Sequence, residues 1–162
     1  MRTYFIQVAK EAIKVEDFIT ADTENLTDAE YGYRYPISDD ERQEAIACLV
    51  ERVLPKGMFS MSEDGALIYN GGMAAWKRGW IDALNKMVSG FTPETIFNGH
   101  DVLYDIRKLL DNALDTDIQF FLESPYVNDS TALMSYIDGM KEGDRLYVGG
   151  IVGYKIHIFI II

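Results

Sequence analysis

The stretch DRLYVGGIVGYKIHIFIII, residues 144 to 162, decides the fold of this chain. Its second half is rich in β-branched and aromatic residues, a composition typical of β-strands. Alternate positions put five apolar residues on one face of such a strand: Tyr154, Ile156, Ile158, Ile160 and Ile162. Phe159 and Ile161 make the end of the opposite face apolar as well. Because a strand that is apolar on both faces is usually covered on both sides, we expect a buried, central strand.

The glycines inside this stretch indicate how the strand is paired. Gly149, Gly150 and Gly153 lie between Leu-Tyr-Val at residues 146–148 and the apolar end of the chain. Glycine is favoured at turns and bulges because it lacks a Cβ atom. The sequence therefore predicts residues 146–148 as the hairpin partner of the terminal strand, with a turn or a bulge at the glycines. An exposed edge of this hairpin would also offer a homodimer contact.

A membrane-spanning helix does not fit the same run. A span needs about 20 apolar residues, and the seven residues from Ile156 to Ile162 include His157. Lys155 and Gly153 interrupt any longer apolar run. We therefore expect no membrane partner.

Hydrophobic periodicity predicts the other elements. Ser38 followed by Glu41 is a capping box, which predicts the start of a helix that ends before Pro55. Further helices are predicted at residues 73–88, 101–114 and 130–138, and a hairpin at residues 58–70. Two regions stay open between helix and strand. Residues 5–19 fit one helix or a strand at 3–8 followed by a helix, and residues 118–122 fit a continued helix or a strand.

Together these elements predict one compact α+β domain over residues 1–162. It has four or five helices packed on a small, mainly antiparallel sheet with a C-terminal β-hairpin. Apolar residues make up 48% and charged residues 25% of the chain, which is typical of a globular protein. Cys48 is the one cysteine, so no internal disulfide forms and we expect a reducing, cytoplasmic location. The first residues lack a signal-peptide layout.

Catalytic and metal-binding patterns are weak in this sequence. His100 has Asp101 and Asp105 nearby, but a divalent metal needs three or four converging ligands. Cys48 falls in the middle of an acid-rich helix, which disfavours its thiolate. We therefore expect no metal and no cofactor, and we favour a non-enzymatic protein. The alternative is a small enzyme or ligand-binding domain with a pocket near Trp76, Trp80 and His100.

The charge distribution carries the functional prediction. The net charge is −11. Residues 11–44 hold eleven acids against three basic residues, and residues 101–144 hold ten acids against three, whereas residues 45–100 hold five of each. Acids on a folded surface resemble an array of phosphates and attract a basic partner, with binding that salt weakens. Such a chain is not expected to bind nucleic acid directly, because phosphates would repel it.

The first acidic block contains the main candidates for a partner-binding surface. They are Asp22, Glu24, Asp28 and Glu30, the alternating tyrosines Tyr31, Tyr33 and Tyr35, and, from the second block, Asp115 and Asp117. Tyrosines beside acids add contact area and hydrogen bonds at low entropic cost. In size and charge, though in no motif, the chain resembles acidic anti-restriction and anti-CRISPR inhibitors of phages and mobile elements. That resemblance implies a basic, nucleic-acid-binding protein as the partner that is bound and inhibited. The alternative to partner binding is that the charge only keeps the protein hydrated and monomeric.

Overall fold

A computed structural model describes residues 2–23, 26, 32–123 and 126–156 of the chain. In these residues, seven strands form one mixed sheet and four α-helices accompany it, so the predicted α+β class is confirmed. The strands are β1 (Arg2–Ala9), β2 (Gly32–Pro36), β3 (Phe59–Met61), β4 (Leu67–Tyr69), β5 (Gln119–Phe121), β6 (Val127–Asn128) and β7 (Arg145–Ile156). The helices are α1 (Asp39–Cys48), α2 (Met73–Val88), α3 (Gly99–Asp111) and α4 (Ser130–Ile137). A π-helical segment, Leu49–Val53, prolongs α1, and short 3-10 helices span Val15–Asp17 and Ile96–Asn98.

Strand β7 is the central strand of the sheet. The strand order is β3-β4-β7-β1-β5-β6, and β2 also pairs with β7. Strand β7 is antiparallel to β1, β2 and β4, whereas β1 and β5 are parallel. Of the predicted terminal strand, Tyr154 is buried in β7, and residues 149–153, predicted as a turn or a bulge, are buried in the same strand. Residues 157–162, which include His157, lie outside the described residues.

The glycines of β7 form a bulge and not a turn. Leu146 and Tyr154 lie on one continuous strand, so they are not hairpin partners of each other. Val8 of β1 pairs with Val148 and Ile6 pairs with Ile151, which leaves two residues of β7 opposite the single residue between them. Two residues opposing one is the definition of a β-bulge. The bulge alternative of the prediction is therefore correct, and the turn is not formed.

The side chain of Gln7 satisfies the backbone at this bulge. Its Oε1 accepts hydrogen bonds from the backbone N–H groups of Gly150 and Ile19, each at 2.9 Å, and its Nε2 donates to the carbonyl of Asp17 at 3.0 Å. A Cβ atom on Gly150 would lie 2.1 Å from the carbonyl oxygen of Ile19. Glycine is therefore required here because the N-terminal loop lies directly against the strand.

Arg42 of α1 satisfies the carbonyls of the same bulge. Its guanidinium donates to the carbonyl of Gly149 at 2.5 Å and to that of Val148 at 3.2 Å. Burial lowers the pKa of Arg42, and nearby Asp39 opposes that shift. Because α1 and the N-terminal loop both bind the bulge, β7 organises the two faces of the sheet.

The two ambiguous regions are both strands. A helix over residues 5–19 is wrong: Arg2–Ala9 form β1, and the helix expected after it is reduced to the turn Val15–Asp17. Pairing with β7 overrides the apolar spacing that resembled a helix. Residues 119–121 form β5, which pairs in parallel with β1.

The predicted helices are present with small changes in their bounds. Ser38 Oγ accepts the backbone N–H of Glu41 at 3.2 Å, as the capping box predicts. Helix α3 ends at Asp111, three residues earlier than predicted. The hydroxyls of Thr131 and Ser130 accept the backbone N–H groups of residues 113 and 114, each at 2.9 Å, which holds the chain in a turn there.

The core lies on both faces of the sheet, and two helices contribute little to it. The larger cluster packs α1 and α4 against one face and includes Ile6, Leu49, Phe120, Leu133 and Leu146. The smaller cluster, on the other face, consists of Phe5, Ile19, Leu26, Val152 and Tyr154. Helix α2 contributes one buried residue, Met73, and α3 contributes none. We call residues 73–111 the helical arm and the other described residues the sheet head.

Candidate interaction surfaces

The first acidic block is held beside strand β2. Asp22 is exposed in a turn in which the backbone N–H of Thr20 donates to Thr23 Oγ1 at 2.7 Å. The Arg34 guanidinium donates to the carbonyl of Thr23 at 2.6 Å, which attaches this turn to β2. Glu24, Asp28, Glu30 and Tyr31 lie outside the described residues. Of the predicted acids of this block, Asp22 is thus the one whose position is described.

The tyrosines of β2 lie on the opposite face of the sheet from Asp22. Side chains alternate along a strand, so Tyr33 and Tyr35 share a face that excludes Arg34. Their ring centroids are 6.0 Å apart, and Tyr33 is 46% exposed. The ring of Tyr35 lies across Gly153, where a Cβ atom would come within 2.3 Å of it. The structure therefore does not bring these tyrosines together with Asp22.

Acids at the start of α1 accompany the tyrosines instead. Tyr4, whose Cα pairs with that of Gly153, donates its hydroxyl to Glu41 Oε1 at 3.2 Å. Asp39 and Asp40 precede Glu41 in the same helical turn and are exposed. The predicted surface lacks these acids, although the capping box at Ser38 predicts them in the first turn of a helix.

The second acidic block lies at a different strand. Asp115 and Asp117 are both exposed between α3 and β5. Asp115 has a φ of 48°, and its Oδ1 lies 4.0 Å from the Nζ atom of Lys108. Strands β7 and β1 separate β5 from β2, a distance of about 14 Å at normal strand spacing. Lys155 of β7 pairs with Tyr33 of β2 on one side and with Arg2 of β1 on the other. The two blocks are therefore separate patches.

A third surface is the groove beside α2. Trp76 and Trp80 stack with ring centroids 5.2 Å apart, and Trp80 Nε1 donates to the carbonyl of Leu109 at 3.1 Å. Both tryptophans are half-buried, and Trp76 packs against the larger core cluster. The cavity beside them has a volume of about 280 Å³, and Ile81 and Met134 also line it. The ion pair of Lys77 with Asp138 at its rim spans 2.6 Å.

His100 does not belong to this cavity. It is exposed in the first turn of α3, nine residues before Leu109, which corresponds to about 13 Å along a helix. Among the described residues, no group of three or more His, Cys, Asp and Glu side chains is arranged to hold a metal ion. The predicted grouping of His100 with Trp76 and Trp80 is therefore not formed.

Another cavity lies at the carboxyl ends of the parallel strands β1 and β5. Its volume is about 380 Å³, and Gln7, Phe121 and Glu123 line it. Nearby, the hydroxyl of Tyr136 accepts the backbone N–H of Lys10 at 3.0 Å. Burial, opposed by that hydrogen bond and reinforced by Glu123, raises the pKa of Tyr136 to about 12. This phenol therefore stays protonated at neutral pH and is not a base or nucleophile there.

Exposed apolar side chains are concentrated on the helical arm. Twelve large hydrophobic residues of the described chain are exposed, and eight of them lie between residues 81 and 110. The eight are Ile81, Val88, Phe91, Ile96, Phe97, Leu103, Tyr104 and Leu110. Phe97, in the turn at the tip of the arm, is 95% exposed. Large contiguous apolar patches on a protein surface usually mark interaction sites.

Comparisons with protein-family models, with curated proteins and with solved structures find no match to this chain. Within the residues that the structure describes, no helix is both long enough and apolar enough to cross a membrane.

Proposed function

We propose that the protein is a non-enzymatic interaction protein that binds a basic protein partner through the acidic surface of its sheet head. One observation supports this proposal above all. The helical arm contains five acids and five basic residues, so the net charge of −11 belongs entirely to the rest of the chain. Charge that served hydration alone would have no need to be confined to one part of the molecule.

The contact surface combines acids with aromatic rings. Asp39 and Asp40 are exposed at the start of α1, and Tyr33 is exposed on the strand that leads into it. Asp22 extends the acidic area on the other face of β2. A partner with a basic groove would be attracted from a distance, and added salt would weaken the attraction. If that groove normally holds nucleic acid, occupancy would inhibit the partner, as acidic anti-restriction and anti-CRISPR inhibitors do.

The test compares two variants of equal charge. The first neutralises four acids of the first acidic block: Asp22→Asn, Glu24→Gln, Asp39→Asn and Asp40→Asn. The control neutralises four exposed acids outside both acidic blocks: Glu51→Gln, Glu63→Gln, Asp82→Asn and Glu94→Gln. Each chain serves as bait in a lysate of the source cells, with washes at low and at high salt.

We expect wild type and control to retain a basic, nucleic-acid-binding protein at low salt and to release it at high salt. The block variant should bind that protein about tenfold more weakly, because each surface ion pair contributes about 0.2–1 kcal/mol. Equal retention by the block variant and wild type would show that this surface is wrong. Equal losses in both variants would mean that only total charge matters.

The alternative function, a small enzyme or ligand-binding domain, now rests on the cavity beside Trp76 and Trp80 alone. The acid–base version needs a histidine beside a carboxylate; Asp138 lines that cavity but is paired with Lys77, and His100 is exposed elsewhere on α3. Tryptophan, isoleucine and methionine line one part of this cavity and Lys77, Thr131, Ser135 and Asp138 the other, which favours an occupant with an apolar ring.

A further inference from the structure

We propose that the helical arm is a homodimer interface in which the arms of two copies pack antiparallel. In this dimer, Phe97 at the tip of each arm occupies the cavity beside Trp76 and Trp80 of the other copy. The interface is separate from the acidic surface of the sheet head and does not depend on the function proposed for it.

Contacts between α2 and α3 define the geometry of the arm. Trp80 contacts Leu109, and a Cβ atom on Gly90 would lie 3.3 Å from Val102, so α2 and α3 are antiparallel. With 16 residues, α2 is about 24 Å long. The base of the arm packs on α4, and the tip at residues 91–98 extends away from it.

Four exposed apolar side chains of α2 and α3 lie on one side of the arm. Ile81 and Val88 each follow by one residue an α2 side chain that faces α3, namely Trp80 and Met87. Leu103 and Leu110 stand in the same relation to the inward residues of α3, Val102 and Leu109. In an antiparallel pair of right-handed helices, residues displaced in the same sense come out on the same side. These four exposed side chains therefore form one face of the arm.

The apolar face of the arm reaches the cavity beside Trp76 and Trp80. Ile81 belongs to the face and also lines the cavity of about 280 Å³ with Met134 of α4. Its polar lining residues are Lys77, Thr131, Ser135 and Asp138, and its volume exceeds the approximately 150 Å³ that holds benzene in an apolar cavity. The phenyl ring of Phe97 therefore fits this cavity. Within one chain, the length of the arm keeps Phe97 away from it, so the ring must come from another copy.

The neutral charge of the arm favours a second copy as its partner. Two chains of charge −11 repel each other, and the arm, with five acids and five basic residues, is a neutral surface where that repulsion is least. A partner of high opposite charge would gain nothing from contact with the arm. A second copy, by contrast, presents the same neutral apolar face.

The exposed face of the arm is large enough for a dimer interface. A face about 24 Å long and about 20 Å wide provides roughly 500 Å² from each copy. Each inserted aromatic ring adds roughly 150 Å² or more. The total of roughly 1,300 Å² exceeds the approximately 1,000 Å² that a specific interface needs, and it indicates a weak dimer. Because each copy gives one ring and one cavity, the two-fold contact closes and does not extend into a fibre.

Sedimentation of the full chain at about 1–100 µM tests the assembly. We expect a transition from 18.4 kDa to twice that mass. Dimer formation should be stronger at about 500 mM than at about 50 mM salt, since salt screens the repulsion. Partner binding by the head has the opposite salt dependence, so failure of one proposal is distinguishable from failure of the other. A monomer at every concentration and salt, or growth beyond the dimer, would overturn the inference.

Phe97→Ala is the diagnostic variant, because a side chain that is 95% exposed can be removed without harm to the fold. We expect it to weaken the dimer about tenfold or more, as the loss of a buried aromatic ring implies. Tyr126→Ala is the matched control, since Tyr126 is 65% exposed but lies on the sheet head. Equal effects of the two substitutions would contradict the proposed interface.

A disulfide experiment tests the antiparallel arrangement. In a Cys48→Ala background, chains with Phe97→Cys are mixed with chains carrying Ser135→Cys, a residue at the rim of the cavity. On oxidation, we expect the mixed disulfide to exceed both symmetric products at least severalfold, because a disulfide requires Cα atoms less than about 7 Å apart. A predominance of disulfides between two residues 97 would show that the tips meet each other and would overturn the arrangement.

Discussion

The sheet head and the helical arm differ in how completely their apolar side chains are buried. In the head, β7 is covered on both faces, and Phe5, Phe120 and Leu146 are at most 1% exposed. In the arm, two helices cover each other along one stripe, and a second stripe that includes Ile81 and Leu110 remains exposed. The acids show the reverse distribution, since the head is acidic and the arm is neutral. A pair of helices without a third layer can bury only part of its apolar surface.

The largest expected difference between the two regions concerns aromatic residues. Phe120→Ala in the head should lower the free energy of unfolding by about 3–5 kcal/mol, because it leaves a cavity in the core. Phe97→Ala in the arm should change it by less than about 0.5 kcal/mol at a concentration where the chain is monomeric. Urea denaturation followed by circular dichroism measures both. A costly Phe97→Ala would mean that the tip packs within its own chain.

The next comparison uses glycine in each region. Gly150→Ala should destabilise the head by about 3 kcal/mol, because its Cβ atom would lie 2.1 Å from the carbonyl oxygen of Ile19. Gly79→Ala in α2 should stabilise the protein by about 0.5–1 kcal/mol, since no atom lies within 4 Å of the added Cβ and alanine favours helix. Thermal melts of both variants measure the effects. Effects of the same sign would contradict the bulge geometry or the exposure of Gly79.

The smallest effect concerns alkaline pH. The pKa of Tyr136 in the folded head is raised to about 12, above its ordinary value of 10.0. A raised pKa contributes stability that is fully present below the unfolded value, and this stability is lost as the pH rises from 10 towards 12. Tyr136→Phe should therefore have a flatter stability profile than wild type over this interval.

Tyr104→Phe in the arm is the control for that experiment, because Tyr104 is 68% exposed and folding changes its surroundings little. Guanidinium denaturation at several pH values measures the profiles. If Tyr136→Phe and Tyr104→Phe followed the same pH dependence, the burial of Tyr136 would not matter to stability.

Local signals in the sequence predicted the elements that depend on near neighbours. The helix that begins after Ser38 has its capping hydrogen bond, and α2 spans the predicted residues 73–88. The hairpin around Gly65, whose φ is 83°, pairs Phe59 with Tyr69. In each case, the deciding interactions lie within a few residues along the chain.

Distant contacts decided the elements for which local signals conflicted. Residues 2–9 are a strand because β7, over 130 residues away, pairs with them. Gly149 and Gly150 form a bulge because Gln7 and Arg42 supply the hydrogen bonds that the ladder leaves open. Of the candidate surface residues that the structure describes, Asp22, Tyr33, Asp115 and Asp117 are exposed and Tyr35 is half-buried. The strand alternation of β2 and the distance between β2 and β5 then divided them into separate patches.

The sequence by itself determined the class of fold, the Ser38 cap of α1 and the distribution of charge along the chain, because each depends on composition or on short-range spacing. The tertiary structure alone decided which apolar stripes are covered. Met73 and Trp80 lie seven residues apart on one face of α2, yet the first is buried and the second is half-buried. Burial depends on what packs against a helix, and those neighbours come from α3 and α4, which the spacing within α2 does not specify.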